Sequence, residues 1–144
     1  MALFCDTRIM AEGDFRIGLN EAQVGLPMPP VIFRALSWVV GPHRAELLAS
    51  GAHLVTAAEA LRLGFVDEVV PPAQVVERAV GWCRERLALP RGAHAETRRM
   101  ARQSFIDLFR GADEEHEVLA DVWFSAETRG AMQALVTRLA AKKG

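Results

Sequence analysis

A chain of 144 residues with 51% apolar and 24% charged side chains has enough material for one domain with a real core. Its net charge of −1 shows no global electrostatic footprint for nucleic acid. Its two cysteines, Cys5 and Cys83, are far apart and lack metal-ligand spacing, which favours reduced thiols over a disulfide scaffold. The opening "MALFC" is too short for a signal h-region, and no stretch has the apolar length of a membrane span.

In chain order, "MALF" reads as the last turn of a helix. "CDTRIMAE" and "FRIGLN" read as two short strands parted by a turn at Gly13-Asp14. In "FRIGLNEAQVGL" the apolar residues Phe15, Ile17 and Leu19 alternate with Arg16, Gly18 and Asn20. Extended two residues further, that phase puts the carboxylate of Glu21 on the apolar face. A carboxylate there must be neutralised, paired or functional, because burying the bare charge is costly.

"PPVIFRALSWVVG" predicts a helix from Pro30 to Gly41, and "HRAELLASG" a second one ending at Gly51. "HLVT" is a brief strand. "TAAEALRLG" is a helix with a capping box, Thr56 and Glu59, and a terminal glycine, Gly64. "FVDEVV" is a strand that stops at Pro71-Pro72. Val75, Val76, Ala79, Val80, Cys83 and Leu87 then recur at helical spacing. A further helix over about 95–110 carries Met100, Ser104, Phe105 and Leu108 on one face. A last helical segment runs from about 113 to 143, broken near 125–130. Residues 1–70 thus hold every strand, and 71–144 form a helical region of the same domain.

The expected core is Ile9, Phe15, Ile17, Leu19, Leu36, Leu47, Leu48, Ala60, Leu63, Val66, Val69, Val76, Val80 and Phe105. His43, His53, His94 and His116 read as surface or core-edge residues, and no metal constellation is apparent. Arg98, Arg99 and Arg102 read as a solvated basic stripe. Asp113 to Glu117 suit a helix start through the macrodipole. Trp38, Trp82 and Trp123 read as packing or subunit contacts, and Cys83 as an inert thiol in an apolar stripe.

Two stretches are distinctive in combination: "GLNEAQVG" and "TAAEALRLGFVDEVVP". With "ALFCDTRIMAE" before them, the chain resembles the C-terminal half of the enoyl-CoA hydratase/isomerase (crotonase) superfamily. The resemblance implies an α/β fold, a partial spiral of ββα units followed by a helical C-terminal trimerisation region, with the N-terminal half lying outside the chain. It implies acyl-CoA thioesters as substrates, no separate cofactor, and a homotrimer or dimer of trimers in a bacterial cytoplasm or a mitochondrial matrix. Neither a nucleic-acid nor a membrane partner is expected.

By the same resemblance, Glu21 stands at the catalytic glutamate position. Asn20 and Leu26 stand at positions lining the acyl-CoA site, and Arg138 stands where relatives carry a cation near the CoA phosphates. Leu119 occupies the place of an aromatic that some relatives set beside the adenine.

The run "PMPPVIFRAL" lacks the Gly-Gly-Thr of hydratases, so the 3,2-trans-enoyl-CoA isomerases of β-oxidation are the better match. A hydratase also needs a second glutamate, one position upstream of Met1. The family's oxyanion-hole donors lie upstream as well. A hydratase and a non-catalytic fragment stable only in an oligomer are the alternatives. For an isomerase one carboxylate suffices, provided an apolar wall raises its pKa toward neutrality.

Overall fold

The computed structural model describes residues 2–110 and 121–141. A 3-10 turn at Ala2–Phe4 leads into β1 (Ile9–Ala11) and β2 (Arg16–Gly18). A one-turn 3-10 helix, Glu21–Val24, precedes α1 (Pro30–Val40) and α2 (Pro42–Ser50). Then come β3 (Leu54–Thr56), α3 (Ala57–Leu63) and β4 (Glu68–Val70). Helices α4 (Val75–Leu87), α5 (Arg91–Asp107) and α6 (Ala126–Ala141) complete the described chain.

The strands form two separate two-stranded ladders. β1 runs parallel to β4 with Met10 opposite Val69, and β2 runs antiparallel to β3 with Ile17 opposite Val55. Local chemistry sets most helix ends. Thr56 Oγ1 accepts the Glu59 N–H at 3.3 Å, and Gly64 closes α3 at φ +73. Gly41, at φ +84, turns the chain sharply between α1 and α2, and Pro42 then sits where a helix needs no N–H.

The core joins α1, α2, α3 and one residue of α5. Leu36, Ala45, Leu48, Val55, Ala60, Phe65, Val66 and Phe105 are all buried in one cluster. An aromatic group ties the first turn of the chain to α5: Phe105 packs edge-on to Phe109 at 5.0 Å, and Phe4 lies 5.4 Å from Phe109. Beside it, Arg98 Nε donates to Asp6 Oδ2 at 2.7 Å, and Arg102 Nη2 donates to the Phe4 carbonyl at 3.1 Å.

Several expectations need correction. Leu36, Leu48, Ala60, Val66 and Phe105 are buried, and Ile9, Ile17, Leu19, Leu63 and Val69 are half-buried. Phe15, Leu47, Val76 and Val80 are exposed. Phe15 precedes the first paired residue of β2, so no ladder fixes it inward. On α4 the half-buried face is Val75, Arg78, Ala79, Trp82 and Arg86, rotated from the apolar stripe. Arg78, on that face, makes a two-pronged bond to Glu68 on β4, at 2.7 and 2.8 Å. Cys83 is accordingly exposed, as is Cys5.

Helix α5 starts at Arg91, directly after Pro90, rather than near residue 95. Phe105 and Leu108 turn inward, while Met100 and Ser104 face outward. The basic stripe is not merely solvated: Arg98 and Arg102 hold Asp6, and Arg99 pairs with Glu96. His43 and His53 are exposed and His94 is half-buried, while His116, Leu119 and the acidic run 113–117 lie outside the described residues. No helix among the described residues is long and apolar enough to cross a membrane.

Candidate functional site

Glu21 does not reach its place along the strand. β2 ends at Gly18, and Asn20 has already left extended geometry at φ −113, ψ 27. A Cβ at Gly18 would stand 2.2 Å from the His53 carbonyl oxygen, so the two chains approach as only glycine permits. With Asn20 out of extended geometry, alternation cannot be carried on to Glu21, and the parity that set Asn20 opposite it lapses too. The carboxylate is instead presented by the first residue of the Glu21–Val24 turn.

That turn is well fastened. The Gln23 N–H donates to the Asn20 carbonyl at 2.9 Å. The Leu26 N–H donates to the Glu21 carbonyl at 3.1 Å, and the Gly25 N–H to the Ala22 carbonyl at 3.3 Å. With Gly25 at φ +74, this is the Schellman arrangement of a helix end. Leu26, the residue that holds the Glu21 carbonyl, is itself buried.

Two side chains anchor the turn from outside. Gln23 Nε2 donates to the Ala52 carbonyl at 2.9 Å, joining it to the corner after α2. Thr128 Oγ1, fully buried near the start of α6, lies 2.8 Å from the Gly25 carbonyl and donates to it.

Glu21 is half-buried, and its Oε2 is buried without a hydrogen-bond partner among the described residues. A carboxylate oxygen removed from solvent and given no donor is an acceptor held in reserve. Chemically it can take a proton from a substrate carbon and return it.

Asn20, Glu21 and Leu26 are thus brought together by one turn and its two neighbours. Arg138 is not. It is exposed, ten residues beyond Thr128 on α6 and so about 15 Å further along that axis. The motif pointed to Glu21, but Gln23 and Thr128 escaped sequence reasoning. Gly25 carried a signal, a glycine closing a short polar turn. Thr128 lies 103 residues from its partner, and no local pattern announces it.

A groove of about 520 Å³ opens elsewhere, between α4 and α5, lined by Trp82, Cys83, Leu87, His94, Arg98 and Arg102 among others. Its one carboxylate, Asp6, is already held by two arginines, so it offers no comparable base. Among the described residues no cluster of three or more histidine, cysteine or acidic side chains could hold a metal ion.

The split ladders, the helical second half and the Asn20-Glu21 turn agree with one family. The sequence profile of the enoyl-CoA hydratase/isomerase family matches residues 1–142, and the chain belongs to that family. It is 37% identical over 105 residues to human "Enoyl-CoA delta isomerase 1, mitochondrial", a match covering 72% of this chain and 35% of that protein. A "probable enoyl-CoA hydratase" of Mycobacterium avium is 35% identical over 95 residues, 66% of this chain and 37% of that one.

Among solved structures, human mitochondrial Δ3-Δ2-enoyl-CoA isomerase superposes with a TM-score of 0.78 at 31% identity, covering 99% of this chain and 56% of that one. An enoyl-CoA hydratase/isomerase from Pseudoalteromonas atlantica reaches 0.82 at 21% identity, over 95% of this chain and 55% of that one, which speaks to the fold alone. The chain spans about a third of the length of the curated relatives and about half of the solved ones.

Proposed function

We propose that this chain is the base-bearing portion of an enoyl-CoA isomerase, converting a 3-enoyl-CoA to a 2-enoyl-CoA in fatty-acid β-oxidation. The observation that carries the reading is the Glu21 carboxylate, fixed by a fastened turn, with one oxygen buried and undonated. The sequence "GLNEAQVGL" and the two isomerases named above support it.

In this reading Glu21 removes a proton from C2 of the thioester. The electrons delocalise into an enolate, the double bond re-forms between C2 and C3, and C4 takes the proton back from the same carboxyl group. Atoms and charge balance with one residue, because the base is regenerated in its ionised form. The enolate oxygen needs preorganised donors, which family members supply from the half of the fold that precedes this segment. Asn20 and Leu26 flank the acyl chain, and the exposed Arg138 meets a CoA phosphate away from the reacting carbons. No cofactor takes part. The working assembly is a trimer or a pair of trimers, in the mitochondrial matrix or the bacterial cytoplasm according to source.

Hydration of a 2-enoyl-CoA is the second reading. It is favoured by the mycobacterial relative, and it needs a second acid, whose family position lies upstream of Met1. Measuring hydration and isomerisation separately in the unmutated protein separates the two readings, and Glu21→Gln tests the first. It keeps shape and removes the base, so isomerisation should fall by about 10²–10⁴-fold with acyl-CoA binding little changed. Undiminished isomerisation in the Gln variant would remove Glu21 from the mechanism. Hydration in large excess over isomerisation in the unmutated protein would favour the hydratase.

A further inference from the structure

We propose that Thr128, at the head of α6, is a positioning residue for the Glu21 carboxylate, so that the C-terminal helix sets the geometry of the base. Its kinetic consequence rests on the isomerase reading above; its structural basis does not.

Thr128 is fully buried, the largest such side chain beside Leu36. Its hydroxyl has one hydrogen and two carbonyl acceptors, Gly25 at 2.8 Å and Val122 at 2.9 Å. Ser125 Oγ donates back to the Thr128 oxygen at 3.0 Å and accepts the Thr128 N–H at 3.1 Å. The Val122 carbonyl has a second donor in the Ser125 N–H at 3.0 Å, which leaves the single hydroxyl hydrogen to the Gly25 carbonyl.

The backbone contact is equally close. A Cβ at Gly25 would come within 3.0 Å of Thr128 Cα and 3.2 Å of its nitrogen. Gly25 thus needs to be glycine twice over: for its left-handed φ of +74 and for the approach of α6. Since the amides of Gly25 and Leu26 close the turn onto Ala22 and Glu21, a grip on the Gly25 carbonyl is transmitted one peptide unit to the carbonyl of Glu21. On the other side Gln23 holds Ala52. With α6 released, the turn keeps one anchor and can pivot about it. A base displaced by a fraction of an ångström loses alignment with C2 and C4, and misplacement of about 1 Å can cost ~10²-fold in rate.

The test compares Thr128→Val, which preserves shape and removes the hydroxyl, with Thr128→Ser, which keeps it. Backbone amide exchange is read at Gly25 and Leu26, with Phe65 and Val66, bonded to the Ala60 carbonyl in the core, as internal controls. The Val variant should exchange at least tenfold faster at Gly25 and Leu26 while Phe65 and Val66 stay unchanged. The Ser variant should match the unmutated chain. Turnover of a 3-enoyl-CoA per folded molecule should show kcat lowered by about 10–100-fold with KM within about twofold, and be restored by serine.

Uniform acceleration at all four amides, or none at Gly25 and Leu26, would overturn the proposal, as would unchanged kcat per folded molecule. Failure of Glu21→Gln to reduce turnover would count instead against the isomerase reading, whereas a chain that shows no turnover would lack only the enolate donors that family members supply from the preceding half of the fold. In that case the exchange comparison alone would decide whether Thr128 holds the turn.

Discussion

Asp6 shows how one side chain can be worth more than its neighbourhood suggests. Arg98 hydrogen-bonds its carboxylate, and that bond is the main reason its pKa lies below the ordinary aspartate value; partial burial opposes the shift, and the charges of Arg102, Arg98 and His94 add to it. Because the folded pKa is depressed, the stabilisation is present above the unfolded pKa near 3.9 and is lost as pH falls through the lower folded value. Asp6→Asn should therefore destabilise the chain at pH 7 by about 1 kcal/mol, the scale of a partly exposed charged cluster. It should also flatten the decline in stability below about pH 4. Urea unfolding of both forms at pH 7 and pH 3 checks this, and equal losses at the two pH values would contradict the linkage. At the same scale Gly18 and Gly25 are fixed by close approach to His53 and Thr128, a demand made by distant chain.

Among the elements, helix ends fared best because their causes are local. Thr56 caps α3 through the Glu59 amide, so Thr56→Ala should cost about 1 kcal/mol and Thr56→Ser much less. Thermal melts of the two variants would show it, and an alanine form as stable as the parent would mean that packing alone holds α3. The boundaries at Pro30, Gly41 and Gly64 were legible for the same local reason. The strand carrying Phe15, Ile17 and Leu19 was legible in existence and wrong in extent. It ends at Gly18, and by Asn20 the backbone has left extended geometry for the Glu21–Val24 turn, a change that alternation cannot see. Glu21 was singled out by motif, while the reason first given for its burial is not the one the fold uses. On α4 the apolar stripe was assigned the wrong side: Arg78 faces inward to Glu68, and Val76, Val80 and Leu87 face outward.

At the scale of the whole molecule those outward residues acquire a meaning. Val76 is 74% exposed and Leu87 84%, and on and just before α6 Trp123, Phe124, Val136 and Leu139 are each at least half exposed. Large apolar side chains collected along two helices exceed what an isolated soluble chain commonly shows to water, and such surfaces mark contact with other protein. The chain should consequently associate with itself. In sedimentation velocity at micromolar concentration it should run as a species heavier than the 15.8 kDa of one copy, with a weight-average that rises with concentration. Val136→Glu combined with Leu139→Glu puts two like charges on the exposed side of α6, where neither residue is buried in the monomer. The pair should therefore lower the association while leaving the helical circular dichroism and the melt of the core unchanged. Loss of both assembly and fold would mean that α6 supports the monomer rather than an interface. A parent chain that stays monomeric at every concentration would show that these faces are tolerated in water, and would remove the physical ground for a trimer built on this half of the fold.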